Sequence, residues 1–247
     1  MSRLAGRRIV VTGAARGIGA EIARTFAAEG AALALLDRLA DDVVAVAEEV
    51  GGRGYGVDLA DVAETREVTG KAIAELGGID VLVNNAGILR FAPLLDLDPV
   101  EWDEVMAVNA RSMLVTTQVA ARAMIAQTDV GVGKIVNMAS MGGKAGGAGQ
   151  AHYAASKAAV IALTRAAAAE LGPAGITVNC LCPGYVLTEM GAATRTEDDV
   201  RAWSARSPLG RLGVPADVAR AALFLASADS DYLTGDALNV TGGMITH

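Results

Sequence analysis

A surplus of positive charge is missing from this chain. Its 21 lysines and arginines face 28 aspartates and glutamates, for a net charge of −7. With no basic face to offer phosphates, the composition argues against a nucleic-acid partner. Cysteine is scarce, at two residues, and so is histidine, also at two. Cys180 and Cys182 fall on a predicted strand, where they are read as pointing to opposite faces, so no disulfide is expected between them. No histidine or third cysteine lies nearby, so no metal site is expected either. No apolar run is long enough to span a membrane, and the stretch from Met1 to Arg8 lacks an apolar signal region. The expectation is a soluble cytoplasmic protein. Aromatic residues make up only 4 %, so the core is expected to pack by close helix–sheet approach more than by bulky rings.

Against these absences, 52 % of the 247 residues are hydrophobic. That is a folded chain with ample material for a buried core. Short apolar runs alternate with helical patterns from end to end, and no linker, repeat or low-complexity segment interrupts them. The alternation predicts an α/β fold: a single doubly wound Rossmann-type domain over residues 1–247, with a seven-stranded parallel sheet flanked by helices on both faces.

The first run, Ile9-Val-Val-Thr12, reads as a buried strand. Gly13-Ala-Ala-Arg16-Gly17-Ile18-Gly19 follows it, and then a helical pattern ending at Gly30. Strand, glycine loop and helix in that order make a candidate phosphate site. Glycines let the backbone approach a pyrophosphate, and a helix N-terminus offers free N–H groups. The spacing is G-x-x-x-G-x-G, not G-x-G-x-x-G. The second strand ends in Asp37, 18 residues past Gly19. An acid at that place accepts hydrogen bonds from an adenosine ribose and repels a 2′-phosphate, so the expected cofactor is NAD. Arg38 follows directly and, like Arg16, could serve a phosphate; Asp37 weighs more heavily, because a carboxylate against a phosphate dianion is costly. Asp58 either contacts an adenine ring or caps the helix that begins near Asp61.

A strand over Ile79–Val83 ends in Asn84-Asn85-Ala86-Gly87, where asparagines can tie strands together and a glycine leaves room. A long helix is predicted from Pro99, at its N1 position, to about Gln127. Asn109 sits in its middle, where propensity and burial both disfavour it, so it has either a satisfied local hydrogen bond or a task. The strand Lys134–Ser140 leads into a glycine-rich loop and then into a helix from about Gln150. That helix carries Tyr153 and Lys157 at i and i+4, on one face. A lysine ammonium one turn from a phenol favours the phenolate, which suits an acid/base acting on an alcohol or a carbonyl. A last long strand, Ile176–Cys182, is broken by Pro183-Gly184. Residues 185–208 lack a clean period and read as a substrate-covering segment with one or two short helices.

Thr12-Gly13-x-x-x-Gly17-x-Gly19, Asn84-Asn85-Ala86-Gly87, Asn109, Ser140, Tyr153-x-x-x-Lys157, Pro183-Gly184 with Thr188, and Asn239-Val240-Thr241-Gly242-Gly243 together resemble the short-chain dehydrogenase/reductase family. The order and spacing match from Arg7 to the C-terminus. Thr241 departs, since the family usually has aspartate there. The resemblance implies that Tyr153 is the acid/base and that Lys157 lowers its pKa and holds the nicotinamide ribose. It implies that Ser140 binds the substrate oxygen and that Asn109 holds a water in a proton relay. It assigns Gly13, Arg16, Gly17, Ile18 and Gly19 to the pyrophosphate and Asp37 to the adenosine ribose, with Arg38 next to it among the cofactor-binding residues. Asp58 and Leu59 would flank the adenine, and Asn85, Ala86 and Gly87 would lie under the cofactor. Pro183, Gly184 and Val186 would border the nicotinamide, with Thr188 near its carboxamide. It also implies a homotetramer, with the helices bearing Asn109 and Tyr153 at one interface.

The implied activity is NAD-dependent interconversion of a secondary alcohol and a ketone. Polarity from Gln150 and His152 in a small loop suits a polyol or sugar-like alcohol, and a 3-oxoacyl carrier-protein reductase is the second reading. His152 adjoins Tyr153 but points about 100° away. A non-catalytic nucleotide-binding scaffold on the same fold would be expected to have lost Ser140, Tyr153 or Lys157, and all three are present.

Overall fold

Seven strands, all parallel, form one sheet in a computed structural model of the chain that describes residues 2–127, 133–188 and 196–247. The strands are β1 (Arg8–Thr12), β2 (Ala32–Asp37), β3 (Arg53–Gly56), β4 (Val81–Asn84), β5 (Gly133–Met138), β6 (Ile176–Pro183) and β7 (Ala237–Val240). Their order across the sheet is β3-β2-β1-β4-β5-β6-β7. The expected doubly wound, seven-stranded architecture is what the chain adopts. The order reverses between β1 and β4, and in such sheets ligands bind outside the strand carboxyl ends at that switch.

Successive side chains on a strand point to opposite faces, so each strand feeds two cores. Ile9, Val11, Leu33, Leu35, Val81 and Val83 pack under helices α1 (Gly17–Ala28), α2 (Ala40–Glu49) and Pro215–Ala226. Val10, Ala34, Leu36, Leu82, Ile135 and Val178 pack under helices α3 (Val62–Glu75) and α5 (Ser112–Ala126). The sheet is thus covered on both faces, as its near-continuous apolar strands require.

Three local readings need correction. The predicted helix from Pro99 begins there, capped by Asp98, whose carboxylate accepts from Val100 N at 2.8 Å. It is not uniform, however. Helix α4 (Pro99–Met106) passes through a π-helical stretch, Ala107–Arg111, into α5. Such an insertion re-aims one side chain, and π segments recur at functional sites; here it holds Asn109. Second, Asp58 caps nothing: Asp61 caps α3 through Ala63 N and Glu64 N, while Asp58 accepts from Ala60 N in a local turn. Third, Cys180 and Cys182 lie on one face of β6, not two. Residues i and i+2 share a face, and both thiols are fully buried in one cluster with Met113, Ala139, Val160 and Ile161. Both are free.

The loop after Ser140 contains a short helix, α6 (Gly142–Ala145), that its glycines concealed in the sequence. Beyond it, α7 (Ala151–Leu171) opens close to the expected position. Within residues 185–208, a helix spans Glu197–Ser204, started by a capping box between Thr196 and Asp199. Trp203 on that helix stacks on Tyr185 with ring centroids 4.5 Å apart. Met190 lies outside the described residues.

Candidate active site

The glycine loop is a cradle too tight for side chains. A Cβ on Gly19 would lie 2.0 Å from the carbonyl oxygen of Gly13, and one on Gly13 would lie 2.6 Å from Ala86 Cα. Asn85 holds this arrangement from below: its amide donates to the carbonyls of Thr12 at 3.1 Å and Gly13 at 2.9 Å. Thr12 answers through its hydroxyl, which accepts from the backbone N–H of Asn85 and Ala86. Asn84 points the other way and ties β4 to β5 through Asn137 at 2.9 Å. Asn85 is therefore a strut for the loop.

Helix α1 begins just past Arg16 with no side-chain cap and no acid in its first turn. Its free N–H groups and positive dipole end suit a diphosphate. Asp37 closes one side. Its carboxylate accepts from Ala15 N at 3.0 Å and from Leu39 N at 3.1 Å, which fixes it beside the loop. Arg16 is paired with Asp42 at 3.0 Å, and Arg38 is exposed. Asp58 is exposed next to buried Leu59. Thr188 approaches Gly17, where a Cβ would lie 3.6 Å from its methyl group. Buried Val186 pairs with Gly213. Pro183 accepts from Met141 N at 2.9 Å, and Gly184 donates to Val240 O at 3.0 Å.

Ser140, Tyr153, Lys157, Asn109 and Gly87 meet at the carboxyl ends of β4 and β5. Gly142 packs against both Ser140 and Tyr153: a Cβ there would lie 3.4 Å from Ser140 Oγ and 3.3 Å from the phenol ring. Lys157, 3 % exposed, donates to Met138 O at 2.8 Å. Its Nζ stands 5.9 Å from the Tyr153 ring centroid. Gly87 leaves the space beside it, since a Cβ would lie 3.1 Å from Lys157 Nζ and 3.3 Å from Asn109 Oδ1. Asn109 is fully buried and satisfied. Its Nδ2 donates to Ile88 O at 2.9 Å and Ser156 Oγ at 3.0 Å, and its Oδ1 accepts from Ile88 N at 2.8 Å.

The electrostatics differ from the sequence expectation. Burial pushes the Tyr153 phenol above its ordinary range, and a hydrogen bond with Ser140 pulls it part of the way back. Burial lowers the pKa of Lys157 to about 8, because the low-dielectric interior disfavours the ammonium. The phenol is thus held protonated at neutral pH, beside an amine that gives up its proton more easily than a surface lysine does.

His152 is fully buried and turns away from Tyr153, its Nε2 3.0 Å from Glu101 on α4. Sequence reasoning named Thr12 without giving it a role and missed Ser156, the supports of the loop and of Asn109. Ser156 had a signal: a hydroxyl in an alanine-rich helix, one residue before Lys157.

This geometry has counterparts among known proteins. A family model described as enoyl-(acyl carrier protein) reductase matches residues 13–245. The chain belongs to the short-chain dehydrogenase/reductase family. Galactitol 2-dehydrogenase (L-tagatose-forming) of Cereibacter sphaeroides is 44 % identical, over 98 % of this chain and 96 % of that protein. The 3-oxoacyl-(acyl-carrier-protein) reductase FabG of Escherichia coli (strain K12) is 39 % identical, over 97 % of each. Among solved structures, a short-chain type dehydrogenase/reductase from Mycobacterium marinum superposes with a TM-score of 0.90 at 37 % identity, over 99 % of this chain and 97 % of that one. This short-chain dehydrogenase/reductase is therefore an oxidoreductase of alcohol and ketone groups that works with a nicotinamide cofactor. The glycine cradle, the uncapped α1 and the space beside Gly87 fit such a cofactor.

Proposed function

We propose that the protein is an NAD-dependent oxidoreductase that interconverts a secondary alcohol, polyol-like or another small hydroxy compound, with its ketone. The observation that carries this is the convergence of Ser140, Tyr153 and Lys157 beside the glycine-cradled cleft. The cofactor supplies hydride transfer when bound. Gly13, Gly17, Ile18, Gly19 and the start of α1 hold its pyrophosphate, Asp37 its adenosine ribose, and Gly87, Pro183 and Thr188 its nicotinamide end. Ser140 donates to the substrate oxygen and stabilises charge developing there. Tyr153 takes the hydroxyl proton in oxidation and returns it in reduction. Lys157, with its pKa at about 8, passes that proton onward. Asn109 shapes the relay, as its side chain fixes Ile88 and Ser156.

The likeness to a galactitol dehydrogenase supports a polyol-like substrate, and the likeness to FabG supports the second reading, 3-oxoacyl reduction. A screen of polyols and short hydroxyacyl thioesters with NAD, followed at the reduced-nicotinamide absorbance band, separates them. Turnover of neither class overturns the proposal. We also propose a cytoplasmic homotetramer. The α4–α5 helix leaves Val100, Trp102, Leu114 and Ile125 between 37 % and 64 % exposed, and small Ala154, Ala155, Ala158 and Ala159 stand on the outer side of α7. Light scattering should give four times 25.1 kDa, about 100 kDa.

A further inference from the structure

The loop after β4 and the loop before α7 meet in an open cleft of about 490 Å³, lined by Phe91, Ala92, Pro93, Leu94, Ala148 and Gly149. That volume is in the range of small-molecule sites. None of the six side chains can make a hydrogen bond. Ala92 N donates to Gly149 O at 3.0 Å, which joins the two walls and uses up a backbone donor and acceptor in doing so. Phe91 is 66 % exposed and Leu94 72 %, so the apolar surface is presented outward.

Both walls start at the candidate catalytic residues. Gly87, packed against Lys157, and Ile88, clamped by Asn109 through its N–H and its carbonyl, lead into Phe91. Gly149 leads through Gln150 into the first turn of α7, where Tyr153 stands. Four residues of chain span at most about 14 Å, so Phe91 lies within that reach of Gly87, and Gly149 within that reach of Tyr153.

We propose that this cleft holds the apolar arm, alkyl or aryl, of a secondary alcohol whose carbinol oxygen lies at Ser140 and Tyr153. This rests on the alcohol–ketone reading above and narrows its substrate class. The preferred compounds are hydroxylated at one end and apolar at the other, not hydroxylated throughout. A fully hydroxylated chain laid on this wall would meet no side-chain partner among the six residues, which is unfavourable for every hydroxyl left unpaired. An alkyl or aryl arm loses nothing there.

The test is a series of 1,2-diols of growing chain length, assayed beside the hexitol of equal carbon number. kcat/KM should rise about two- to four-fold per added methylene, up to the roughly 0.8 kcal/mol transfer of one CH2. The diol of six carbons should exceed the hexitol. Replacing Phe91→Ser and Leu94→Ser together should flatten the slope. Saturation-transfer NMR, which needs no turnover, should show the terminal methyl of the diol in closest contact, and the double variant should lose that signal. A flat series, or a hexitol that outperforms the diol, overturns the inference and leaves the oxidoreductase reading intact. Methyl saturation without turnover of any alcohol upholds the cleft and overturns that reading. A double variant that keeps the slope but lowers the assembly state makes the cleft a subunit contact, which also overturns the inference.

Discussion

Lys157 is tied to Met138: its ammonium donates to that carbonyl at 2.8 Å, 3 % exposed, at the end of β5. One hydrogen bond does not offset the loss of water around a charge, and the pKa falls from 10.5 to about 8. Between those two values the unfolded chain binds the proton and the folded chain does not. This group therefore makes stability rise with pH across that window, and below about pH 8 the whole desolvation cost stands. The difference corresponds to on the order of 3 kcal/mol. A Lys157→Met variant should be more stable than the parent at pH 7, by roughly 1–3 kcal/mol, and the gain should shrink toward pH 10. Urea unfolding at both pH values measures it. An equal difference at both would refute the account.

Tyr153 is held protonated by burial, with Ser140 as the group that opposes this. Reduction needs the phenol as acid and oxidation needs the phenolate as base. kcat/KM for oxidation should therefore rise with pH through the alkaline range, and kcat/KM for reduction should fall across it. A Tyr153→Phe variant should still bind reduced cofactor, seen by fluorescence, yet lose at least about 100-fold in turnover, the usual share of acid–base catalysis. Retained turnover would remove Tyr153 from the chemistry.

Much of this was legible because it depends on pattern. Apolar runs of five or six residues alternating with helical periods gave the parallel sheet, and the Tyr153–Lys157 spacing put both side chains on one helical face. What was not legible depends on packing. The i, i+4 rule brings Lys157 near the phenol, but the pKa values follow from burial, which a sequence does not state. Asn109 was conspicuous as a polar residue in an apolar helix, yet the π-helical stretch and the clamp on Ile88 required the neighbouring loop to be in place. The short α6 was hidden by its own glycines, whose low helix propensity is overridden by packing of Gly143 against Lys157.

Gly19 tests the cradle. A methyl group there would need the space of the Gly13 carbonyl oxygen, 2.0 Å away, and of the Asn85 amide, 2.6 Å away. Backbone and strut would both have to move. Gly19→Ala should cost about 1–3 kcal/mol of stability, the usual range for overpacking, and should weaken reduced-cofactor binding by more than ten-fold. Thermal melting and a fluorescence titration read the two effects separately. Gly70 is the control: it lies within α3, its φ is not positive and a Cβ there would meet nothing within 4 Å, so Gly70→Ala should leave cofactor affinity unchanged.

The proposed preference for NAD rests on Asp37, whose two tasks can be separated. Its carboxylate anchors the loop by accepting from Ala15 N and Leu39 N, and it places a fixed negative charge where an adenosine ribose would sit. Arg16 is paired with Asp42 and so does not offset that charge freely. A ribose diol can donate to the carboxylate, whereas a 2′-phosphate would be repelled by it. The parent should favour NAD over NADP by at least about ten-fold in kcat/KM. Asp37→Asn removes the charge and keeps an acceptor oxygen for only one of the two N–H groups, since Ala15 N and Leu39 N use different carboxylate oxygens. It should melt between the parent and Asp37→Ala while the NAD preference falls by roughly ten-fold. Asp37→Ala should lose both the preference and several degrees of melting temperature, because the two N–H groups are left without their partner. If the parent prefers NADP, the carboxylate is only a loop anchor, and the cofactor assignment falls with it.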